Sequence, residues 1–248
     1  MRQADQTVDS ISGLINLLRR DVGTYQGPVW YRGQRDEAWR LEPKLLRGGG
    51  DSSRESHLIN RFKQNAAMLV DRVPPGEFDW LFLMQHHGLP TRLLDWSENP
   101  LVGLYFAVVD HNSTEDSAVW VLLPTELNVK ASIRPAFVQE VPSFDDDILM
   151  NYKPTVIAAE NKSHLNPVAA IAPRNSLRMQ AQQAVFTISH RDNVLIDASR
   201  AIIDITDHVW RYVIPVGARQ SIREDLTRIG FSKFQLFPEL SSIVDILK

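Results

Sequence analysis

The chain has 248 residues, 44% of them hydrophobic, and a formal net charge of -3. This predicts a globular protein with an ample core, and it argues against a global attraction to nucleic acid or anionic membranes. Cysteine is absent, which excludes disulfides, thiolate metal sites and cysteine nucleophiles. We expect a cytoplasmic protein without a membrane anchor, because no apolar run reaches the roughly 20 residues of a membrane span.

The first half of the chain predicts helices with one short strand between them. Apolar residues at helical spacing predict a first helix over 7–20, which Gly23 ends. The stretch VWYRGQ is typical of a strand and places Arg32 at its end, beside Gly33. Further helices are predicted over 54–71, 77–87 and 101–109, and residues 91–96 are interpreted as a turn.

The second half predicts most of the sheet. Strands are expected over 117–123, 168–172, 184–189 and 208–215, and closing helices over 217–229 and 238–247. Periodicity fades over 124–167, which predicts a long irregular insertion. The economical fold is a single α+β domain over 1–248, with helices wrapped around a small central, mainly antiparallel sheet.

Arg32 is the first candidate binding residue. A guanidinium beside glycine suits a phosphate, carboxylate or amide ligand, because it offers a rigid fork of donors and glycine lets the ligand approach the backbone. The alternative is a structural ion pair with an acidic side chain. Basic residues recur from Arg32 to Arg61 and can face phosphate, or they form an ordinary solvated surface.

The stretch QHHGLPTRLLDW concentrates ionisable groups. His86 and His87 point about 100° apart on a helix and cannot both face one metal ion, so we expect a helix end and no metal site. Asp95 lies among apolar residues, which predicts partial burial and a need for a partner. Arg32 and Arg92 are the candidate partners, and the pattern does not separate an active-site pair from a structural pair.

A third polar cluster, Arg178, Gln182 and Gln183, directly precedes a predicted strand. Glutamine recognises amides and does not act as a general base, so this cluster favours orientation of a polar ligand. The alternative is that the glutamines satisfy backbone groups at a sheet edge. Fingerprints of Rossmann dehydrogenases, P-loop NTPases, zincins and α/β-hydrolases are absent from the sequence.

Several segments together resemble the FRG domain family, named for a Phe-Arg-Gly motif, over nearly the whole chain. They are WYRGQ, WRLEPKLLR, QHHGLPTRLLDWSENPLVGLYFA, RMQAQQAVF and IREDLTRIGFSKFQLFPELSSI. Tyr31 stands where the motif has Phe, and Ala184 stands where the family often has glycine. The resemblance implies a phage-defence or toxin-like context.

The motif order is also similar to that of ADP-ribosyltransferases, which implies a related fold and NAD as substrate. By this resemblance Arg32 grips NAD, Thr91, Arg92, Asp95 and Trp96 frame the nicotinamide, and Gln182 or Gln183 takes a late position usually held by glutamate. The expected catalytic residues are Arg32, Asp95, Gln182 and Gln183. The expected NAD-binding residues are Tyr31, Arg32, Gly33, Gln34, His87, Thr91, Arg92, Trp96 and Arg178.

Two functions from different classes follow from this resemblance. The first is an ADP-ribosyltransferase or NAD-cleaving effector, with DNA, RNA or a protein as acceptor and a neutralising protein as a candidate partner. The second is a non-catalytic module that senses a nucleotide or phage component, because a neutral glutamine stabilises a cationic transition state less than glutamate does. If the protein is an ADP-ribosyltransferase, Asp95 supplies the negative charge that stabilises the transition state. A third reading makes the polar motif a buried network that fixes the fold.

Overall fold

The strands of the protein form one mixed sheet. The computed structural model describes residues 6–70, 72–133, 140–159, 164–197 and 208–247. The strands are β1 (Gln6–Thr7), β2 (Trp30–Gln34), β3 (Leu93–Ser97), β4 (Ser117–Leu122), β5 (Val168–Ala170), β6 (Ala184–Ile188) and β7 (Val209–Ile214). Within these described ranges the seven-stranded sheet has the order β1-β7-β4-β2-β3-β6-β5. Only the β1–β7 pair is parallel, so the expected mainly antiparallel sheet is confirmed.

Helices pack around this sheet, as the predicted α+β class requires. They are α1 (Ile11–Val22), α2 (Ser53–Ala66), α3 (Glu77–His86), α4 (Pro100–Val108), α5 (Pro124–Lys130), α6 (Pro154–Ala159), α7 (Leu177–Ala181), α8 (Arg219–Arg228), α9 (Lys233–Leu236) and α10 (Leu240–Leu247). Short 3-10 helices cover Asp147–Tyr152 and Val216–Ala218. Among the described residues, no helix is both long and apolar enough to cross a bilayer.

The sheet consists of two halves joined by one residue pair. β2 and β3 pair only at Tyr31↔Ser97. By contrast, β2 pairs with β4 over the whole of Trp30–Gln34, and β3 pairs with β6 over the whole of Leu93–Ser97. The facing edges of β2 and β3 therefore lack a shared ladder beyond this contact.

Helix α4 packs closely against β2 because two glycines remove the side chains between them. A Cβ at Gly33 would lie 2.1 Å from the Gly103 carbonyl oxygen and 2.4 Å from the Ala107 nitrogen. The helix begins as predicted, with Asn99 accepting a 2.9 Å hydrogen bond from the Leu101 N–H and Pro100 in the first turn. The absence of a side chain at Gly33 thus allows the backbones of β2 and α4 to come into contact.

A buried ion pair joins α2 to the start of β3. Nε of Arg92 donates to Glu55 at 2.6 Å, and the two side chains are 0% and 1% exposed. The remaining guanidinium nitrogens of Arg92 donate to the main-chain oxygens of Ser189 at 2.6 Å and Tyr152 at 2.8 Å. Since each nitrogen has an acceptor, the charge is buried with its hydrogen bonds satisfied.

Several sequence predictions need correction. The predicted turn over 91–96 is wrong, because β3 occupies Leu93–Ser97 and is covered on both faces, which removes the usual alternation. The insertion over 124–167 is not wholly irregular: it carries α5, α6 and a 3-10 helix, whereas 134–139 and 160–163 lie outside the described residues. The first helix begins only at Ile11, since Ser10 caps it and β1 pairs with β7.

Replacement of Arg92 by Met tests the buried ion pair. The substitution leaves the buried Glu55 carboxylate without its cation, so we expect the free energy of unfolding to fall by about 3–5 kcal/mol in urea denaturation. The exposed neighbour substitution Arg54→Met is the matched control and should be nearly neutral. The double variant Arg92→Met/Glu55→Leu should recover much of the loss, and an Arg92→Met loss below about 1 kcal/mol would contradict a structural pair.

Candidate functional site

A cleft of about 970 Å³ opens where β2 and β3 separate. Its walls come from β2, β3, α3, α4, α7 and residues 69–70 and 72–75. The cleft holds most of the residues that the sequence predicted for a site: Tyr31, Arg32, Gly33, Gln34, His87, Asp95, Trp96, Arg178 and Gln182. A concave space of this size with converging charged groups is typical of a small-molecule site.

Arg32 lies in the middle of β2, not at the strand end that its sequence predicted. Its Nη1 donates to the main-chain oxygen of Asp95 at 2.6 Å. Nε is enclosed by protein without a partner, and Nη2 has no hydrogen bond among the described residues and is not enclosed. Burial lowers the pKa of the Arg32 guanidinium, the nearby Asp95 carboxylate opposes this shift, and Arg47 adds to it.

Asp95 presents its carboxylate to the cleft from β3. Its side chain is exposed, so the expected partial burial is wrong, although its neighbours Leu94 and Trp96 are buried. Oδ1 accepts a 2.5 Å hydrogen bond from Nε2 of Gln85. Oδ2 has no partner among the described residues. The expected pairing of Arg32 with Asp95 therefore runs through the main chain of Asp95, and one carboxylate oxygen is available to a ligand.

Gln85 is a cleft residue that the sequence reasoning missed. It lies in the last turn of α3, where its side chain bonds both Asp95 and the hydroxyl of Thr91. The signal in the sequence was weak: Gln85 follows the apolar run Trp80–Met84, and helix-end glutamines are common. Gln85 belongs to the site because its side chain bonds the carboxylate of Asp95, which lies ten residues further along the chain.

Further arginines line the cleft, among them Arg35 and Arg47, together with aspartates that include Asp110. Arg35 pairs with Asp110 at 3.0 Å and stacks over the Trp39 ring at 4.8 Å. Arg47 donates to a main-chain oxygen and makes no ion pair among the described residues. Trp39 is 39% exposed, so an aromatic ring ligand can reach it. Positive charge without carboxylate partners favours an anionic ligand.

The two histidines of the predicted helix end both line the cleft. Their rings lie 5.0 Å apart at 82°. Burial lowers the pKa of His86, the positive charge of Arg178 lowers it further, and Glu239 opposes this shift. Within the described ranges, no group of three or more potential metal ligands comes together.

Other predicted residues serve the fold at the cleft wall. Gln34 accepts a 2.8 Å hydrogen bond from Trp120, and Trp96 donates to Thr187 at 3.0 Å. Burial raises the pKa of Tyr31 to about 12, so its hydroxyl stays protonated near neutral pH. The cleft thus combines a rigid polar frame with the free charged atoms of Arg32 and Asp95.

Three predicted residues do not line the cleft: Thr91, Arg92 and Gln183. Arg92 is buried against Glu55, and Thr91 lies behind Gln85. Gln183 adopts a φ of 46° and uses its main-chain oxygen to accept from the Glu98 N–H at 3.2 Å. Gln182 lines the cleft, but its amide donates to the Leu236 main-chain oxygen at 3.1 Å.

The fold and the cleft define an α+β protein with an arginine-lined site at a divided sheet. A family model described as the FRG domain matches residues 27–116. The match includes β2, β3 and α4 with Arg32, Gln85 and Asp95, and it excludes Arg178 and Gln182. Neither the curated proteins nor the solved structures gave a match.

A methyl group at position 33 tests the close approach that shapes the cleft wall. In Gly33→Ala the new Cβ meets backbone atoms of α4, which cannot rotate away, so β2 and α4 must separate. We expect a loss of about 1–3 kcal/mol in the free energy of unfolding. Gly217→Ala is the control, since nothing lies within 4 Å of its Cβ. Equal stability of the two variants would mean that β2 and α4 are not in close contact.

Proposed function

We propose that the chain binds NAD in this cleft and cleaves the bond between nicotinamide and ribose, passing ADP-ribose to an acceptor or to water. One observation carries the proposal: Arg32 and Asp95 face the same cleft from neighbouring strands, joined by a 2.6 Å hydrogen bond. Each keeps a charged atom that no described residue satisfies. A cation and a carboxylate held in this way suit a ligand that carries phosphate and develops positive charge.

The cleft can accommodate both ends of a dinucleotide. Nη2 of Arg32 and the guanidinium of Arg47 offer donors to the diphosphate, and neither group is neutralised by an ion pair among the described residues. Trp39 offers an exposed ring for a base. The volume of about 970 Å³ lies near the upper end of the range for small-molecule sites.

The proposed reaction needs negative charge near the ribose. When the glycosidic bond breaks, its electron pair leaves with nicotinamide, which becomes neutral, and positive charge develops on the ribose. A lone pair of the acceptor then bonds the anomeric carbon, and the acceptor proton passes to solvent. A fixed carboxylate stabilises the developing cation. Asp95 is the proposed source of this charge, because the Gln182 amide is neutral and bonded to Leu236.

The acceptor and the biological context rest on the resemblance to defence and toxin-like proteins. Exposed basic residues between positions 35 and 54, of which Arg35 and Arg47 line the cleft, support a nucleic acid as acceptor. They are Arg35, Arg40, Lys44, Arg47 and Arg54. A protein acceptor and a neutralising partner protein remain part of the same proposal. In all cases, positioning and electrostatics carry the catalysis.

A second candidate is a nucleotide-binding module without turnover. The commitment of the Gln182 amide to Leu236 favours it, because a late catalytic residue should be free to contact the ligand. Both candidates use Arg32 for binding, and they differ in the effect of Asp95 on the chemical step.

The test measures NAD binding by calorimetry and nicotinamide release by chromatography, with labelled NAD offered to DNA, RNA and protein pools. We expect Asp95→Asn to lower kcat by about 10²–10³-fold, because a neutral amide stabilises the ribose cation poorly. We expect Arg32→Gln to weaken binding of ADP-ribose by about ten- to hundredfold.

Matched controls lie outside the cleft. Glu98→Gln removes a nearby carboxylate, and Arg19→Gln removes an exposed arginine of α1; both variants should behave as wild type. Binding of NAD without turnover would favour the sensing module. Absence of NAD and ADP-ribose binding to the wild-type protein would refute both candidates.

A further inference from the structure

We propose that Thr91 and Gln85 form a hydrogen-bond relay that positions the Asp95 carboxylate for the reaction. The proposal rests on the proposed function, and it makes Gln85 and Thr91 positioning residues behind Asp95. Neither side chain was expected to act in this way: Gln85 was not predicted at all, and Thr91 was predicted to contact the ligand.

The relay has a defined direction. The Leu93 N–H donates to Oγ1 of Thr91 at 3.2 Å, so the Thr91 hydroxyl proton is free to be donated elsewhere. That hydroxyl donates to Oε1 of Gln85. The Nε2 group of Gln85 must then face Asp95, where it donates to Oδ1 at 2.5 Å. A flipped amide would oppose the carboxylate with an acceptor, so a single orientation satisfies all these groups.

The relay ties an exposed side chain to a buried anchor. Thr91 is 2% exposed, and its main-chain oxygen accepts from the Leu45 N–H at 3.2 Å, so its position is fixed by the fold. Asp95 on its own would sample several rotamers at the cleft surface. Because Gln85 takes Oδ1, the carboxylate is restrained and Oδ2 is left for the ligand.

Asp95 is restrained at a second point by Arg32. The Arg32 guanidinium bonds the main-chain oxygen of Asp95, while Gln85 bonds the side chain. The strand and the carboxylate are therefore fixed separately. Restraint before the ligand arrives is the arrangement that electrostatic catalysis requires, since reorientation during the reaction would cost free energy.

The test compares isosteric variants that remove or keep each hydrogen bond. Gln85→Met keeps the length of the side chain and removes the amide, and we expect kcat to fall by about tenfold with KM changed less than about twofold. Thr91→Val removes the hydroxyl and should lower kcat by a smaller factor. Thr91→Ser keeps the hydroxyl and should keep kcat near the wild-type value. Gln180→Met, on the exposed side of α7, is the matched control.

A double-variant cycle separates a relay from independent effects. If Gln85 acts only through Asp95, Gln85→Met/Asp95→Asn should be no slower than Asp95→Asn alone. If the losses in kcat of the two single variants multiply in the double variant, the proposal is overturned. A Gln85→Met variant with wild-type kcat would also overturn it.

A second readout does not depend on turnover. In ¹⁵N-labelled protein the side-chain amide protons of Gln85 should be protected from exchange, and both Asp95→Asn and Thr91→Val should alter their resonances. If wild-type protein shows no NAD turnover, the proposed function fails, while this measurement still decides whether the relay exists. Unaltered Gln85 resonances in both variants would refute the relay.

Discussion

The geometry of the cleft depends on the fully buried guanidinium of Arg92. It bonds Glu55 of α2 and the main-chain oxygens of Ser189 and Tyr152, so it ties β3 to three distant parts of the chain. A charge buried in this way is stable only while each donor has its acceptor. The buried pair therefore requires α2, β3 and the segment after β6 to pack together in one arrangement. That arrangement places Thr91 in the interior and Asp95 at the surface of the cleft.

The wall of the cleft that carries Arg32 depends on packing instead of charge. Gly33 and Gly103 let β2 and α4 approach until backbone nearly touches backbone. The wall that carries Arg32 is thus fixed by contact, and the wall that carries Asp95 is fixed by the Arg92 network. The two walls share one strand pairing, Tyr31↔Ser97. The two charged side chains of the site are therefore held by independent sets of contacts.

The elements with clear local signals could be predicted from the sequence. Helix α4 has Asn99 and Pro100 at its start, and β4 is a run of buried residues with strand propensity. Strand β3 was missed because Leu93 packs in one core cluster and Trp96 in another, so no alternation is visible. The roles of Arg32 and Arg92 could not be separated, since either can pair with Asp95 and only the fold brings Glu55 to Arg92. Gln85 was missed for the same reason: its contact with Asp95 exists only in three dimensions.

The manner in which Arg32 and Asp95 meet argues against a purely structural pair. The guanidinium nitrogens of Arg92 all have acceptors, and a carboxylate faces its charge. Arg32 is different: it bonds a main-chain oxygen, leaves Nε and Nη2 without partners in the described residues, and lies where burial lowers its pKa. Such an arrangement costs free energy in the unliganded protein. An anionic ligand that accepts from Nη2 of Arg32 would supply the charge partner that Asp95 provides only through its main-chain oxygen.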